Sequence, residues 1–161
     1  MITHIDENGN AVMVDVSGKA ETFRTAVAQG EIHVGPEAFA AIRDGAVKKG
    51  DVLGVAQVAG IMAAKRTWEL IPLCHPLFLS KCAVTFTLRE EDHTIIAECT
   101  ASTTGQTGVE MEALTGVSGA LLTIYDMCKA IDKSMVWGQI HLVQKTGGKS
   151  GDFTFPLQKI E

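Results

Sequence analysis

The runs Lys81-Cys82-Ala83-Val84-Thr85-Phe86-Thr87-Leu88 and Ile95-Ile96-Ala97-Glu98-Cys99-Thr100-Ala101-Ser102 decide how this chain folds. In the first, Cys82, Val84, Phe86 and Leu88 alternate with Lys81, Ala83, Thr85 and Thr87. In the second, Ile95, Ala97, Cys99 and Ala101 alternate with Ile96, Glu98, Thr100 and Ser102. A period of two puts alternate side chains on opposite faces, so each run reads as a strand with one buried face. The polar stretch Glu90 to His93 between them is too short for a crossover. The pair therefore reads as an antiparallel hairpin.

Downstream, the period changes. Val109, Ala113, Val117, Leu121, Ile124 and Cys128 recur at spacings of three and four, the stripe of a long helix expected over about Val109 to Ile131. A last strand is expected through Ile140 and Leu142, followed by a loop at Gly147-Gly148-Lys149-Ser150-Gly151. Upstream, Val12, Val14 and Val16 alternate with Met13 and Asp15 and suggest a short strand. Thr22 to Val34 is rich in β-branched residues and reads as a strand broken at Gly30. Gly35-Pro36 opens a helix that should stop near Gly45, since proline suits a first turn whose N–H groups have no partner. Asp51 should cap the next helix, which carries Val55, Val58, Ala59 and Met62. Pro72 and Pro76 bracket the irregular Leu73-Cys74-His75. Hairpin strands among helices imply an antiparallel sheet with helices packed on one face, an α+β architecture.

The bulk composition bounds the function. The 161 residues suit one domain, taken as residues 1–161, and 46% hydrophobic residues are ordinary for a packed core. A formal net charge of −5 argues against a general nucleic-acid binder, though not against a local basic pocket. Met1-Ile2-Thr3-His4 shows no basic leader, and no run approaches the roughly 18 apolar residues of a membrane span, so a cytoplasmic protein is expected. Cys74, Cys82, Cys99 and Cys128 lie far apart and read as reduced thiols rather than a disulfide framework.

Several constellations bear on chemistry. Gly148-Lys149-Ser150 resembles the tail of a P-loop, but Val143 stands where its first glycine belongs. What survives is a glycine-rich loop whose lysine can meet a phosphate. No spacing matches a structural zinc site, and no protein-built metal site is expected. His75 sits in a backbone stiffened by two prolines, which is a way to aim a side chain; a lone histidine is as readily a satisfied polar residue. On the long helix, steps of seven return to nearly one face and group Glu112, Asp126 and Lys133, with Lys129 three residues after Asp126. By pattern alone this is either a solvated charged face or an acid/base pair whose lysine keeps the carboxylate ionised.

The longer runs are more specific. Lys48-Lys49-Gly50-Asp51-Val52, Ala63-Ala64-Lys65-Arg66-Thr67, Leu70-Ile71-Pro72-Leu73-Cys74-His75-Pro76-Leu77, Gly105-Gln106-Thr107-Gly108-Val109-Glu110-Met111-Glu112-Ala113-Leu114-Thr115, Leu122-Thr123-Ile124-Tyr125-Asp126-Met127-Cys128-Lys129 and Gly147-Gly148-Lys149-Ser150-Gly151-Asp152 resemble the molybdenum cofactor biosynthesis protein C family, the cyclic pyranopterin monophosphate synthases. The resemblance covers nearly the whole chain. It implies a ferredoxin-like α+β fold, with dimers assembled into a homohexamer. It implies a lyase reaction in which a cyclised dihydro-GTP becomes cyclic pyranopterin monophosphate and pyrophosphate leaves. It implies catalytic roles for Asp126, Lys129 and Lys49, and substrate contacts at Leu73, Cys74, His75, Met111, Glu112 and Lys145. No cofactor is required by this reading; magnesium is compatible with it. The lysines Lys49, Lys129 and Lys145 should converge on the triphosphate, and Glu112 and Asp126 should meet from different subunits. A non-catalytic nucleotide- or pterin-binding carrier on the same fold is the alternative reading.

Overall fold

The structure, a computed structural model, describes residues 4–156. Met1, Ile2 and Thr3, which enter the reading of the leader, lie outside the described residues, as does the tail from residue 157. The elements in chain order are β1 (Thr22–His33), α1 (Pro36–Arg43), α2 (Val52–Lys65), α3 (Thr67–Leu70), β2 (Lys81–Arg89), β3 (Thr94–Gly105), α4 (Glu110–Cys128), β4 (Val136–Thr146) and β5 (Phe153–Thr154). The sheet runs β2-β3-β1-β4-β5, and every neighbouring pair is antiparallel. Strand, helices, hairpin, long helix and strand in that chain order, with the sheet order just given, make the β-α-β-β-α-β ferredoxin-like arrangement, with β5 added at one edge.

The hairpin forms as its alternation requires. Val84 lies opposite Cys99 and Phe86 opposite Ala97, and Cys99 in turn lies opposite Ala28 of β1. One face of the three strands thus carries Ala26, Ala28, Ile32, Ile95, Ala97, Cys99, Ala101 and Val84, all buried. Small side chains dominate this face because α4 presses on it. Gly30 belongs to the same row and does not break β1. A Cβ there would lie 2.8 Å from Ile140 Cγ1 and 2.9 Å from Val117 Cγ1, so glycine is what the contact between sheet and helix admits.

Asp51 caps α2 as expected, its Oδ1 accepting from the Gly54 N–H at 3.0 Å. α2 lies against α4 through small residues. A Cβ on Gly60 would stand 2.8 Å from the Gly116 carbonyl, and one on Gly116 would stand 2.6 Å from Cys99 Sγ. The two helices and the sheet therefore meet at nearly backbone distance. The apolar stripe of α4, including Val117, Leu121, Ile124 and Cys128, is wholly buried.

Besides the break expected at Gly30, two local expectations fail. Val12 to Val16 form no strand: no strand of the sheet pairs with them, Val12 and Met13 stay exposed, and the bridge among the described residues of this segment joins Ile5 to Ala11. α4 ends at Cys128 rather than near Ile131, so Lys133 lies beyond the helix and does not share its face with Glu112 and Asp126. The turn after Cys128 diverts the chain, with Ile131 N–H and Asp132 N–H both donating to the Cys128 carbonyl.

Candidate active site

α4 carries functional groups at both ends, and the two groups are different in kind. At its C-terminal end, Asp126 sits between two lysines. Lys129 Nζ donates to Oδ1 at 2.6 Å, while Lys49 Nζ donates to the Asp126 carbonyl at 2.9 Å and lies 3.5 Å from Oδ2. The last carbonyls of a helix have no backbone donor, and they form the negative end of its dipole. Lys49 fills that vacancy, which is why a residue 77 positions earlier belongs here. The Lys129 hydrogen bond, then the charges of Lys129 and Lys49, hold the Asp126 carboxyl below its usual range. Lys129 is in turn held protonated by Asp126. All three side chains are about half exposed, so the trio is an open, ionised cluster on the surface of one chain.

The N-terminal end of α4 borders two adjoining cavities. The larger, of about 820 Å³, is lined by Pro72, Leu73, Cys74, His75, Met111 and Glu112 together with parts of the N-terminal segment. The second, of about 720 Å³, is lined by Lys19, Arg24, Lys145, Lys149, Ser150 and the Gln106-Thr107-Gly108 turn. Lys19, Thr107, Gly108 and Glu110 line both, so one elongated ligand can occupy the pair. The larger chamber has apolar walls and a buried acid, and the second is rimmed with cations. No side chain caps the start of α4, whose first N–H groups can meet an anion.

The stiff segment is aimed by its ties to β3. Thr103 Oγ1 donates to the Phe78 carbonyl at 2.6 Å, and Ser80 N–H donates to the Ser102 carbonyl. His75 Nε2 lies 2.8 Å from the Val14 carbonyl, and since a carbonyl only accepts, that nitrogen carries the proton. Lys145 arrives by a sheet irregularity. Leu142 lies opposite Ala28, and Lys145, three residues on, lies opposite Ala26. An even strand would have placed residues 142 and 144 on one face; the bulge puts Lys145 on the helix side instead. There it lies 3.4 Å from Glu110 Oε1 and donates to Ser150 Oγ at 2.6 Å. Gly147 and Gly148, both at positive φ, let the following loop pass over β1, where a Cβ on Gly148 would run into the Arg24 guanidinium.

Residues 13–148 match the MoaC family. The chain belongs to the MoaC family. It is 60% identical over 150 residues to the cyclic pyranopterin monophosphate synthase of Clostridium botulinum (strain Alaska E43 / Type E3), a match covering 93% of this chain and 94% of that one. It is 60% identical over 152 residues to the protein of the same name from Heliobacterium modesticaldum, covering 94% and 96%. With the Brevibacillus brevis protein of that name it shares 58% over 152 residues, covering 94% of each chain.

The MoaC-family residues picked out from sequence fall into these two groups. Leu73, Cys74, His75, Met111 and Glu112 share the large cavity, and Lys145 lines its neighbour. Asp126, Lys129 and Lys49 cluster at the other end of α4. The expected convergence of Lys49, Lys129 and Lys145 therefore does not occur within one chain. Among the described residues, no three His, Cys, Asp or Glu side chains gather in a metal-binding group. Sequence reading missed Lys19 and Arg24. Arg24 left a trace: it is in step with Ala26, Ala28, Gly30 and Ile32, so it is an arginine on the core face of β1. Its Nε donates to the Gly105 carbonyl at 3.0 Å, which directs the guanidinium along the cavity wall.

Glu112 is the one acid buried in this MoaC-family site, at 5% exposure. Burial, reinforced by the charge of Glu110, pushes its carboxyl up to about 7 from an ordinary 4.5. The sign of its effect on stability follows. Below pH 4.5 the carboxyl is protonated folded or unfolded and contributes no slope. Between pH 4.5 and about 7 only the folded protein holds the proton, so stability falls as pH rises, and above that the loss is constant. Glu112→Gln should flatten this part of the melting-temperature profile. An unchanged slope between pH 5 and pH 7 would mean that Glu112 is ionised in the folded protein.

Proposed function

We propose that this chain is a cyclic pyranopterin monophosphate synthase that acts on a cyclised dihydro-GTP as a homo-oligomer with shared active sites. The observation that carries the reading is the pair of joined cavities, one apolar with a buried acid and one cationic. A fused heterocycle suits the first and a triphosphate the second. The identity of about 60% to synthases over nearly their full length supports it.

In this reading a hydroxyl of the sugar-derived portion gives its proton to a general base, attacks the α-phosphorus and closes the cyclic phosphate. The bond to the β-phosphate breaks, and pyrophosphate leaves with the bond's electron pair. Lysines oppose the charge that grows on the leaving group. Opening the purine-derived ring and closing the pterin require proton transfers, which this reading assigns to Asp126, Lys129 and Lys49. The reading requires no cofactor, and magnesium is compatible with it as a counter-ion of the triphosphate.

Glu112 and Asp126 are fourteen residues apart on α4, about 21 Å at 1.5 Å per residue. One substrate reaches both most simply when Asp126, Lys129 and Lys49 of one subunit complete the cavity of another. A two-fold dimer forms that arrangement twice. Three such dimers make the hexamer we propose, in the cytoplasm, where GTP is available. Neither nucleic acid nor a membrane is a partner in this reading; no helix of the described residues is long and apolar enough to span a membrane. The test is to incubate the purified protein with the cyclised dihydro-GTP. Stoichiometric release of pyrophosphate with formation of the cyclic phosphate is expected; tight binding without release would make the protein a carrier.

A further inference from the structure

The N-terminal segment before β1 is built unlike the rest of the chain. Residues 4–20 hold themselves together through local turns: Asp6 accepts from Asn8 and Asn10, Val12 N–H donates to the His4 carbonyl, and Asp15 accepts from Ser17. Most of the segment is exposed, and only Val14 and Val16 are half-buried. Among the described residues, a single hydrogen bond joins it to the body, from His75 Nε2 to the Val14 carbonyl. Yet His4, Ala11, Val14, Val16 and Lys19 wall the large cavity, and Lys19 lines its cationic neighbour as well.

A segment with little buried apolar surface and one tie opens at small free-energy cost. The same segment closes one side of the space where the ligand would sit. We propose that residues 4–20 form a strap that is latched by His75 and drawn shut by a nucleoside triphosphate. His75 acts here as a positioning residue: it holds Val14 and Val16 against the cavity and so delivers Lys19 to the boundary between the two chambers. A ligand spanning both chambers bridges Lys19 to Arg24 and Lys145 across the opening, adding a charge-assisted tie that the empty protein lacks. The ligand class rests on the proposed function; the latch does not.

Lys19 is the only lysine or arginine between His4 and Phe23, so tryptic cleavage after it reports the strap directly. The assay uses the full chain, with GTP as the probe and equilibrium dialysis run in parallel to measure GTP binding. Cleavage of a transiently opened segment follows the population of the open form. Loss of one hydrogen bond in His75→Ala should speed cleavage roughly two- to tenfold. His75→Gln places an amide donor near the position of Nε2 and should restore the slow rate. Circular dichroism confirms that both variants remain folded. Bound GTP should slow cleavage of the parent protein several-fold. Equal cleavage of parent and His75→Ala overturns the latch. Unchanged cleavage on a protein shown to hold GTP overturns closure by ligand. Absence of GTP binding overturns closure by a nucleoside triphosphate, while the nucleotide-free comparison still decides the latch and pyrophosphate release from the cyclised dihydro-GTP decides the proposed function separately.

Discussion

Asp126→Ala is expected to lower turnover of the cyclised dihydro-GTP by about 10²- to 10⁴-fold, the range a positioned proton-transfer group supplies. The melting temperature should stay near that of the parent. Asp126 is half exposed and its partners are two equally exposed lysines, so the carboxylate contributes little to the packed core. Its position is nonetheless highly determined, with Lys129 at 2.6 Å from one oxygen and Lys49 bound to the carbonyl of the same residue. Both lysines keep it ionised, and it keeps Lys129 protonated. Removing it should loosen the Lys129 amine and delete a base, while Lys49 keeps its tie to the main-chain carbonyl, so the loss should fall mainly on kcat. Substrate affinity should change less, because the cavity groups at the far end of α4 are untouched. Turnover near that of the parent would reduce Asp126 to an anchor for its two lysines.

A second experiment tests the shared site through its arithmetic. Asp126→Ala and Glu112→Gln proteins are each expected to be nearly inactive. Mixed under conditions of subunit exchange, they form dimers in which one site carries both substitutions and the other carries neither. At equal amounts about half of the dimers are mixed, so about a quarter of all sites should recover parent activity. The geometry behind this is the distance of about 21 Å between the two carboxylates along one rigid helix, a distance no side-chain rearrangement closes. If mixtures stay inactive while labelled subunits demonstrably exchange, the site lies within one chain and the proposed dimer geometry is wrong.

Much of this molecule could be read locally. The hairpin and the stripe of α4 emerged because periods of two and near 3.6 are direct consequences of backbone geometry; the faces of β3 and α4 are buried as read, and on β2 Val84 is buried while Cys82, Phe86 and Leu88 are half-buried. Asp51 was legible as a cap because capping is a contact between residues three apart. The Asp126–Lys129 pair was legible for the same reason. Val12 to Val16 misled because alternation marks a strand only when another strand pairs with it, and none does here. Gly30 misled because its cause lies in Ile140, Val117 and Leu121, residues remote in sequence. The bulge that turns Lys145 toward Glu110 left no signature in an even alternation.

Sequence by itself determined most of the elements, the fold class and, through long runs shared with other proteins, the family. Those properties rest on local backbone preferences and on the identities of neighbouring residues. Only the tertiary structure decided which reactive groups meet. It placed Lys49 on the last carbonyls of α4, brought Arg24 and Lys19 to a cationic chamber, and buried Glu112 while leaving Asp126 at the surface. It also divided the expected lysine cluster between the two ends of one helix. Such convergence depends on sheet order and long-range packing: spacing along the chain gives the length of a rigid helix, but not which remote residues lie beside each of its ends.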